Sequence, residues 1–355
     1  MKIHVQKQII ESILVNLQPF LEKKDASQIT SHILFRTENE YSTIKASDSD
    51  IGLKIVTNQI TIEQQGSFTA NGKKLLDIIR ILKDDEITLE IQNSTLIITQ
   101  KFSKFKLPTF DPNSYPHFPT IEDKPQISLD SLALIQNLRK ISPSIDTNNP
   151  KFELNGALIN IQPHQTDLVG TDTRRLAIAS IEGESPQALS LIVPKKAILE
   201  IQKLFLDKID IFYDEINLII KNENYFFYTR LINGKFPDYQ RIIPQVTKHQ
   251  IALPKKGMID AIKMITTISQ EIKMRFQTKT IIFESLSADN VEAKTELALN
   301  TGLTEPFEIS LNSKYLLDFI SQVDSHEFMI ELNEQNLPFI VKDGNFMTII
   351  MPIIA

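Results

Sequence analysis

IHVQKQIIESIL, residues 3–14, is written twice more in outline, as ISLDSLALIQNL at 127–138 and as IALPKKGMIDAI at 251–262. Each copy has two apolar residues in alternation and then two more four apart. They are Ile3, Val5, Ile10 and Leu14; Ile127, Leu129, Leu134 and Leu138; and Ile251, Leu253, Met258 and Ile262. Alternation is the period of a strand and four-residue spacing that of a helix face, so each copy reads as a short strand running into a helix. The copies stand 124 residues apart. The same offset links Asp48 in ASDSDIGL to Asp172 in GTDTRRLA. A second helix signature recurs as GKKLLDIIRIL from Gly72, PKKAILEIQKL from Pro194 and NSKYLLDFISQV from Asn312. Solenoid repeats run to about 20–50 residues, whereas this period is the length of a domain. The chain therefore reads as one domain built three times, at 1–122, 123–246 and 247–355.

Both joints carry proline: Pro112, Pro116, Pro119 and Pro125 near the first, Pro237 and Pro244 near the second, with Phe-Pro at 118–119 and again at 236–237. Proline removes a ladder donor and extends the residue before it, so these are short, stiff connectors. Within the first unit, STIKASD, GLKIVT, ITIEQQGSFTA, EITLEIQ and TLIITQK alternate like half-buried antiparallel strands. Two helices beside such a sheet define an α+β unit in three tandem copies.

Composition excludes several classes of chemistry. Cysteine is absent, so there is no disulfide, thiol nucleophile or thiolate metal site. The six histidines lack metal-site spacing, and neither a P-loop nor a nucleophile elbow is present. Asp84-Asp85-Glu86 reads as a solvated turn. No catalytic residue, cofactor or metal is expected. The N-terminus lacks an apolar signal-peptide core, and no run approaches the length of a membrane span. A net charge of −6 argues against holding nucleic acid by bulk electrostatics.

Basic residues nevertheless recur at the paired helices. Lys73-Lys74, Lys195-Lys196 and Lys314 open the second helices; Lys7, Arg139-Lys140, Lys255-Lys256 and Lys263 sit on the first, and Lys23-Lys24 follow the opening helix. Singly, each reads as a solvated helix face. If the three units present these helices alike, the charges add into a surface for a phosphate backbone that reads no bases.

At this point the chain resembles the bacterial sliding clamp, the beta subunit of DNA polymerase III. The matching segments are MKIHVQ, FTANGKKLLDIIRIL at 68–82, LNGALI at 154–159, VGTDTRRLA at 169–177, IVPKKAILE at 192–200, LINGKFPDYQRIIP at 231–244, LNSKYLLDFI at 311–320 and IIMPI at 349–353. They span the whole chain in order. The resemblance implies a cytoplasmic, nucleoid-associated homodimer, closed head to tail into a ring of six domains around duplex DNA. It implies a non-catalytic tether for polymerase subunits and repair factors, opened by a clamp loader and gripping short peptides.

The implied peptide pocket comprises Thr171, Arg174, Arg175, Leu176, Pro237, Arg241, Ile242, Asn312, Tyr315, Pro338, Ile349, Met351, Pro352 and Ile353. Without the resemblance, Leu176 and Ile349 would read as ordinary core. Arg174 stands where many relatives carry His, and Ile353-Ile354 replace a more polar ending, which points to a different peptide preference. The implied DNA-facing residues are Lys24, Lys73 and Asn148, joined by Arg139, Lys140, Lys195 and Lys196. Ring closure is implied between an edge near Lys74, Lys104 and Phe105 and an edge near Ile268, Asp289 and Glu292. Two readings compete with the clamp: a monomeric three-domain peptide adaptor that holds no DNA, and an enzyme with its site at a domain junction.

Overall fold

The computed structural model describes residues 1–25, 28–186, 188–286 and 292–354. The first repeat contains β1 (Lys2–Gln6), α1 (Lys7–Leu17), β2 (His32–Glu38), β3 (Tyr41–Ser47), β4 (Ile51–Thr57) and β5 (Thr61–Gln64). It continues with β6 (Gly66–Asn71), α2 (Gly72–Ile81), β7 (Glu86–Gln92), β8 (Thr95–Gln100) and β9 (Ser103–Pro108). The second has β10 (Gln126–Ile127), α3 (Ser131–Ile141), β11 (Gly156–Ile161), β12 (Gln165–Thr171) and β13 (Arg175–Glu182). Then come β14 (Leu189–Pro194), α4 (Lys195–Leu204), β15 (Asp210–Tyr213), β16 (Asn217–Lys221) and β17 (Tyr225–Arg230). The third has β18 (His249–Pro254), α5 (Lys255–Thr266), β19 (Glu271–Phe276), β20 (Thr280–Ser285) and β21 (Lys294–Ala298). It ends with β22 (Phe307–Asn312), α6 (Ser313–Ser321), β23 (Glu327–Leu332), β24 (Phe339–Asp343) and β25 (Phe346–Ile350).

The strand-to-helix motif appears in all three repeats, as β1–α1, β10–α3 and β18–α5, but β10 keeps only two residues and Leu129 lies outside it. ITIEQQGSFTA, which alternates as one strand, is two: β5 joins one sheet and β6 another. The break falls at Gly66, whose φ of 154° suits glycine, and where an added Cβ would stand 2.9 Å from the Met1 side chain.

Two compact units result, Met1–Ser131 with Lys203–Leu231, and Leu132–Gln202 with Ile232–Ala355. In the first, a sheet ordered β5-β1-β7-β8-β9 accompanies an eight-stranded sheet ordered β10-β15-β16-β17-β4-β3-β2-β6. In the second, β14-β11-β12-β13-β25-β24-β23-β18 form eight strands and β21-β20-β19-β22 four. Each large sheet thus splices strands of successive repeats, by β4 on β17 and by β13 on β25, all antiparallel. Phe35 and Phe68 stack at 4.9 Å in the first core, and Phe319 and Phe346 at 4.9 Å in the second.

The helices are fastened by charge at their ends. Lys7, the first residue of α1, donates to the carbonyls of Arg80 (3.1 Å) and Leu82 (2.7 Å) at the end of α2. Lys255 opens α5 and donates in the same way to Val323, just past α6. The last carbonyls of a helix lack intrahelical partners and carry the negative end of its dipole, so an ammonium there satisfies both. These recurrent lysines therefore hold one helix to its neighbour instead of adding to an open cationic face.

His32 is buried and stacks 4.4 Å from Phe110, with Nδ1 unpartnered. Burial, aided by the nearby Lys74 ammonium, pushes its pKa down to about 4. The fold keeps this ring neutral, whereas the unfolded chain protonates below about pH 6.5. Its contribution is therefore intact above that pH, declines as pH falls toward 4, and is level below. Urea denaturation of His32→Gln at pH 7 and pH 4.5 checks this: the wild-type chain should lose up to roughly 3 kcal/mol more across that range than the variant.

Candidate functional site

Three segments of the second unit that carry expected pocket residues are joined by hydrogen bonds; Pro237, Arg241 and Ile242 lie on a fourth stretch, after Phe236, and Pro338 precedes β24. The first is the turn from β12 to β13. Asp172 Oδ1 accepts the backbone N–H groups of Arg174 and Arg175, each at 3.1 Å, while Thr171 Oγ1 donates to the Arg175 carbonyl at 2.7 Å. These bonds hold Thr173 at φ 74°, in the left-handed region. Asp48, its counterpart 124 residues earlier, accepts from Asp50 (3.1 Å) and Ile51 (3.0 Å) and holds Ser49 at φ 80°. The offset read from the sequence is thus reproduced atom for atom.

The second segment follows β25. Leu176 pairs with Ile349 and Arg175 with Ile350 across the β13–β25 ladder. Beyond it, Met351 N–H donates to the Arg174 carbonyl at 2.9 Å and Ile353 N–H to the Ser310 carbonyl at 2.7 Å. The last residues of the chain are thereby pinned alongside the turn. The third segment is the start of α6, where the Asn312 side chain caps the helix by accepting from Lys314 N–H at 3.0 Å.

Arg175 ties these segments together. Its side chain is only 3% exposed. Nε donates to Asp172 at 3.0 Å, Nη1 to Asp318 at 2.7 Å and Nη2 to the Pro143 carbonyl at 2.6 Å. The guanidinium lies 4.5 Å from the centre of the Tyr315 ring. Tyr315 in turn has its hydroxyl pKa raised, chiefly by burial and then by Asp172. Three of the five Arg175 N–H groups are thus met by its own chain, and within the expected pocket it positions Tyr315.

Leu176 and Ile349 are buried as well. Their side chains are 3% and 1% exposed and pack with Leu154, Leu158, Val169 and Phe236 in one apolar cluster. They belong to the core beneath the β12–β13 turn. The exposed apolar residues among those expected are Met351 and Ile242, 39% and 46% exposed, and Pro237. Arg174 and Arg241 are exposed, the latter paired with Asp238 at 2.8 Å. Thr171, Asn312, Tyr315, Pro338 and Ile353 are half-buried, and Pro352 is buried. Deeper in the same unit, Tyr239 donates to Asp167 at 2.8 Å, and burial together with that carboxylate pushes its pKa up to about 12.

Sequence reasoning missed Asp318 and Leu154, and noted Asp172 and Phe236 without giving them a part in the site. The 124-residue offset marks Asp172, and the repeated Phe-Pro pair marks Phe236. Asp318 carries no such signal, because its partner Arg175 is far away in sequence. The exposed Phe152 opens the 3-10 turn that holds Leu154.

Of the residues expected to face DNA, Lys24, Lys73, Arg139, Asn148 and Lys196 are exposed. Lys140 and Lys195 are corrections. The Lys140 side chain is 15% exposed, with its ammonium 3.1 Å from Asp324. Lys195 donates to the Ile145 carbonyl at the end of the turn that follows α3. Both cations are occupied within the unit. At the expected ring-closing edges, Lys74 and Lys104 are exposed and Phe105 is half-buried on β9, while Ile268 and Glu292 are exposed; Asp289 lies outside the described residues. Among the described residues, no group of three or more His, Asp or Glu side chains could hold a metal ion, and no helix is long and apolar enough to cross a membrane.

Replacing Asp318 with Ala leaves the buried guanidinium one carboxylate short and should cost about 1–3 kcal/mol in urea denaturation. Arg175→Lys should destabilise the unit too, because an ammonium cannot reproduce the planar fork that meets Asp172, Asp318 and Pro143 together. Stability unchanged in both variants would show that the network does not hold the site.

Comparison with known proteins matches the whole chain. The N-terminal, central and C-terminal domains of the DNA polymerase III beta subunit match residues 1–119, 128–238 and 240–354. The beta sliding clamp of Helicobacter pylori strain J99 is 39% identical over 352 residues, covering 97% of this chain and 94% of the relative. That of Bacillus subtilis strain 168 is 24% identical over 373 residues, covering 100% and 99%. Among solved structures, the Helicobacter pylori beta clamp bound to a DNA ligase peptide superposes with a TM-score of 0.93 at 38% identity, each chain fully covered. The Bacillus subtilis sliding clamp shares the fold, with a TM-score of 0.90 at 23% identity over 100% of this chain and 99% of that one. The chain belongs to the DNA polymerase III beta subunit family, the bacterial beta sliding clamps.

Proposed function

We propose that the chain is a processivity factor: a homodimeric ring of six domains, with joints near residues 122 and 246 of each chain, that encircles duplex DNA. It tethers polymerase subunits, the clamp loader and repair factors through short peptides. It performs no catalysis of its own and acts in the cytoplasm, on the nucleoid.

The observation that carries ring closure is a pair of open sheet edges of opposite charge. β9 is paired on one side only and exposes Lys104 and Lys106. β21 is likewise an edge; Glu296 and Lys294 are exposed on it, 3.9 Å apart, and Glu292 is exposed just before it, so its balance is acidic by one charge. Exposed apolar groups stand at helix ends of the same repeats: Ile81 at the end of α2, and Met264, whose Sδ is 3.8 Å from Thr295 of β21, with Ile268 around the end of α5. An open strand edge invites pairing, and two different complementary edges on one chain give a head-to-tail contact that closes when the rotation allows. Lys24, Lys73, Arg139 and Lys196 then supply phosphate contact inside the ring, independent of base sequence.

Peptide capture rests on Met351, Ile242, Pro237 and the half-buried Tyr315, with Leu176 and Ile349 in the core. Aliphatic and proline surfaces receive a leucine or phenylalanine of an extended peptide, and the polar rim fixes its backbone. The ligase peptide on the Helicobacter pylori clamp supports this use.

Small-angle scattering checks the ring: a hollow particle of 81 kDa, twice the 40.5 kDa chain, is expected. A single chain at every concentration would remove encirclement and leave the peptide adaptor. For the pocket, Ile242→Asp with Met351→Asp should weaken a clamp-binding peptide at least tenfold, read by fluorescence anisotropy, with an unchanged dimer. Leu176→Ala should instead cost about 2–5 kcal/mol of stability, because it empties part of the core. Peptide affinity unaltered by the surface pair would reject the assignment.

A further inference from the structure

Strands β2, β3, β4, β17 and β16 are successive neighbours in the eight-stranded sheet of the first unit. One row of directly opposed residues crosses them: Leu34, Lys45, Lys54, Phe226 and Lys221. Opposed residues share a face of the sheet. The adjoining residues Ile44, Leu53, Phe227 and Ile220 are buried in the core, so the row lies on the other face. Strands are about 4.8 Å apart, which makes Lys45 and Lys54 immediate neighbours and places Lys221 about 10 Å beyond Lys54.

Each of these ammonium groups rests against an aromatic ring: Lys45 against Phe118 at 5.1 Å, Lys54 against Phe226 at 4.7 Å and Lys221 against Phe212 at 5.6 Å. Lysines and rings alike are half-buried. Among the described residues none of the three pairs with a carboxylate. Asp210, opposite Lys221, accepts instead from Gln126 at 3.3 Å, and Glu38 acts on Lys45 only at longer range. Burial, then the neighbouring lysines, lower the proton affinity of both Lys45 and Lys54. Like charges set directly opposite destabilise a sheet. The row holds three cations, none of them ion-paired among the described residues, with the carboxylate of Asp210 next in line beyond Lys221.

We propose that this row is a track for single-stranded nucleic acid, in which Lys45, Lys54 and Lys221 take backbone phosphates and Phe118, Phe226 and Phe212 offer ring edges to the bases. Cations alternating with rings are the chemistry of single-strand binding. A duplex keeps its base faces stacked and out of reach, and an acidic peptide gains little from the rings. The track is separate from the clamp reading and survives its failure. Binding is weak on a chain of net charge −6, and three phosphate contacts give a slope of log affinity against log salt near −2.

The test is fluorescence anisotropy of a labelled oligothymidylate of about 15 nucleotides, titrated with the full chain between about 50 and 200 mM salt. Affinity should fall about 20-fold across that range. The triple variant Lys45→Gln, Lys54→Gln, Lys221→Gln should bind at least tenfold more weakly with a nearly flat salt dependence. Lys54→Gln alone, which disturbs packing least, should lower the slope by about 0.7. Phe226→Leu should weaken binding and leave the slope in place. Melting temperatures confirm that each variant is folded. Unchanged binding in the triple and single lysine variants would overturn the proposal. So would loss of binding in Lys24→Gln with Lys73→Gln instead, or stronger competition by duplex or by polyglutamate than by unlabelled oligothymidylate.

Discussion

A sheet edge left without a partner exposes a row of unmet backbone donors and acceptors, and that constraint organises this molecule. The pairing of β4 with β17 sets residues 51–55 against 225–229, and that of β13 with β25 sets 175–179 against 346–350. Each joins a strand of one repeat to a strand of the next. The compact units consequently cut across the repeats, with the second repeat divided between them. A repeat folded alone would leave these strands open, so triplication is a condition of stability as well as a trait of the sequence.

The splice between β13 and β25 also makes the candidate site. It sets Leu176 beside Ile349 and lets Met351 bond to Arg174, so the chain's last residues lie next to a turn some 170 positions earlier. That turn is held by Asp172 and extended by Arg175, whose three hydrogen-bonding partners lie on the turn, on α6 and after α3. A buried guanidinium is tolerable only when its donors are met. Meeting them fixes α6, and with it Tyr315, relative to the C-terminal segment. The site is thus a by-product of solving a burial problem.

Charge follows the same logic at the helix ends. Lys7, Lys195 and Lys255 each reach a carbonyl at the end of a neighbouring helix or turn, where the backbone lacks partners. Lysines at recurring sequence positions therefore divide into fasteners and surface charges. A run such as Lys195-Lys196 places one of each side by side: Lys195 is directed inward and Lys196 is exposed. Two of the edges that remain open differ in charge: β9 exposes Lys104 and Lys106, whereas β21 exposes Lys294 and Glu296 with Glu292 just before it.

The sequence by itself determined the threefold repetition, from a constant 124-residue offset, and the six main helices, most of the strands and the α+β class, which rest on spacing within a dozen residues. It also marked Asp48 and Asp172, since a side chain that caps its own turn is a local device. Only tertiary structure decided which strands from different repeats pair and that ITIEQQGSFTA serves two sheets. The same holds for the burial of Arg175, Leu176 and Ile349, and for the occupation of Lys140 and Lys195. Those outcomes depend on partners such as Asp318, Asp324 and Ile145, brought near by folding and not by the order of the chain. A residue's type limits what it can do; the neighbours that reach it decide which of those things it does.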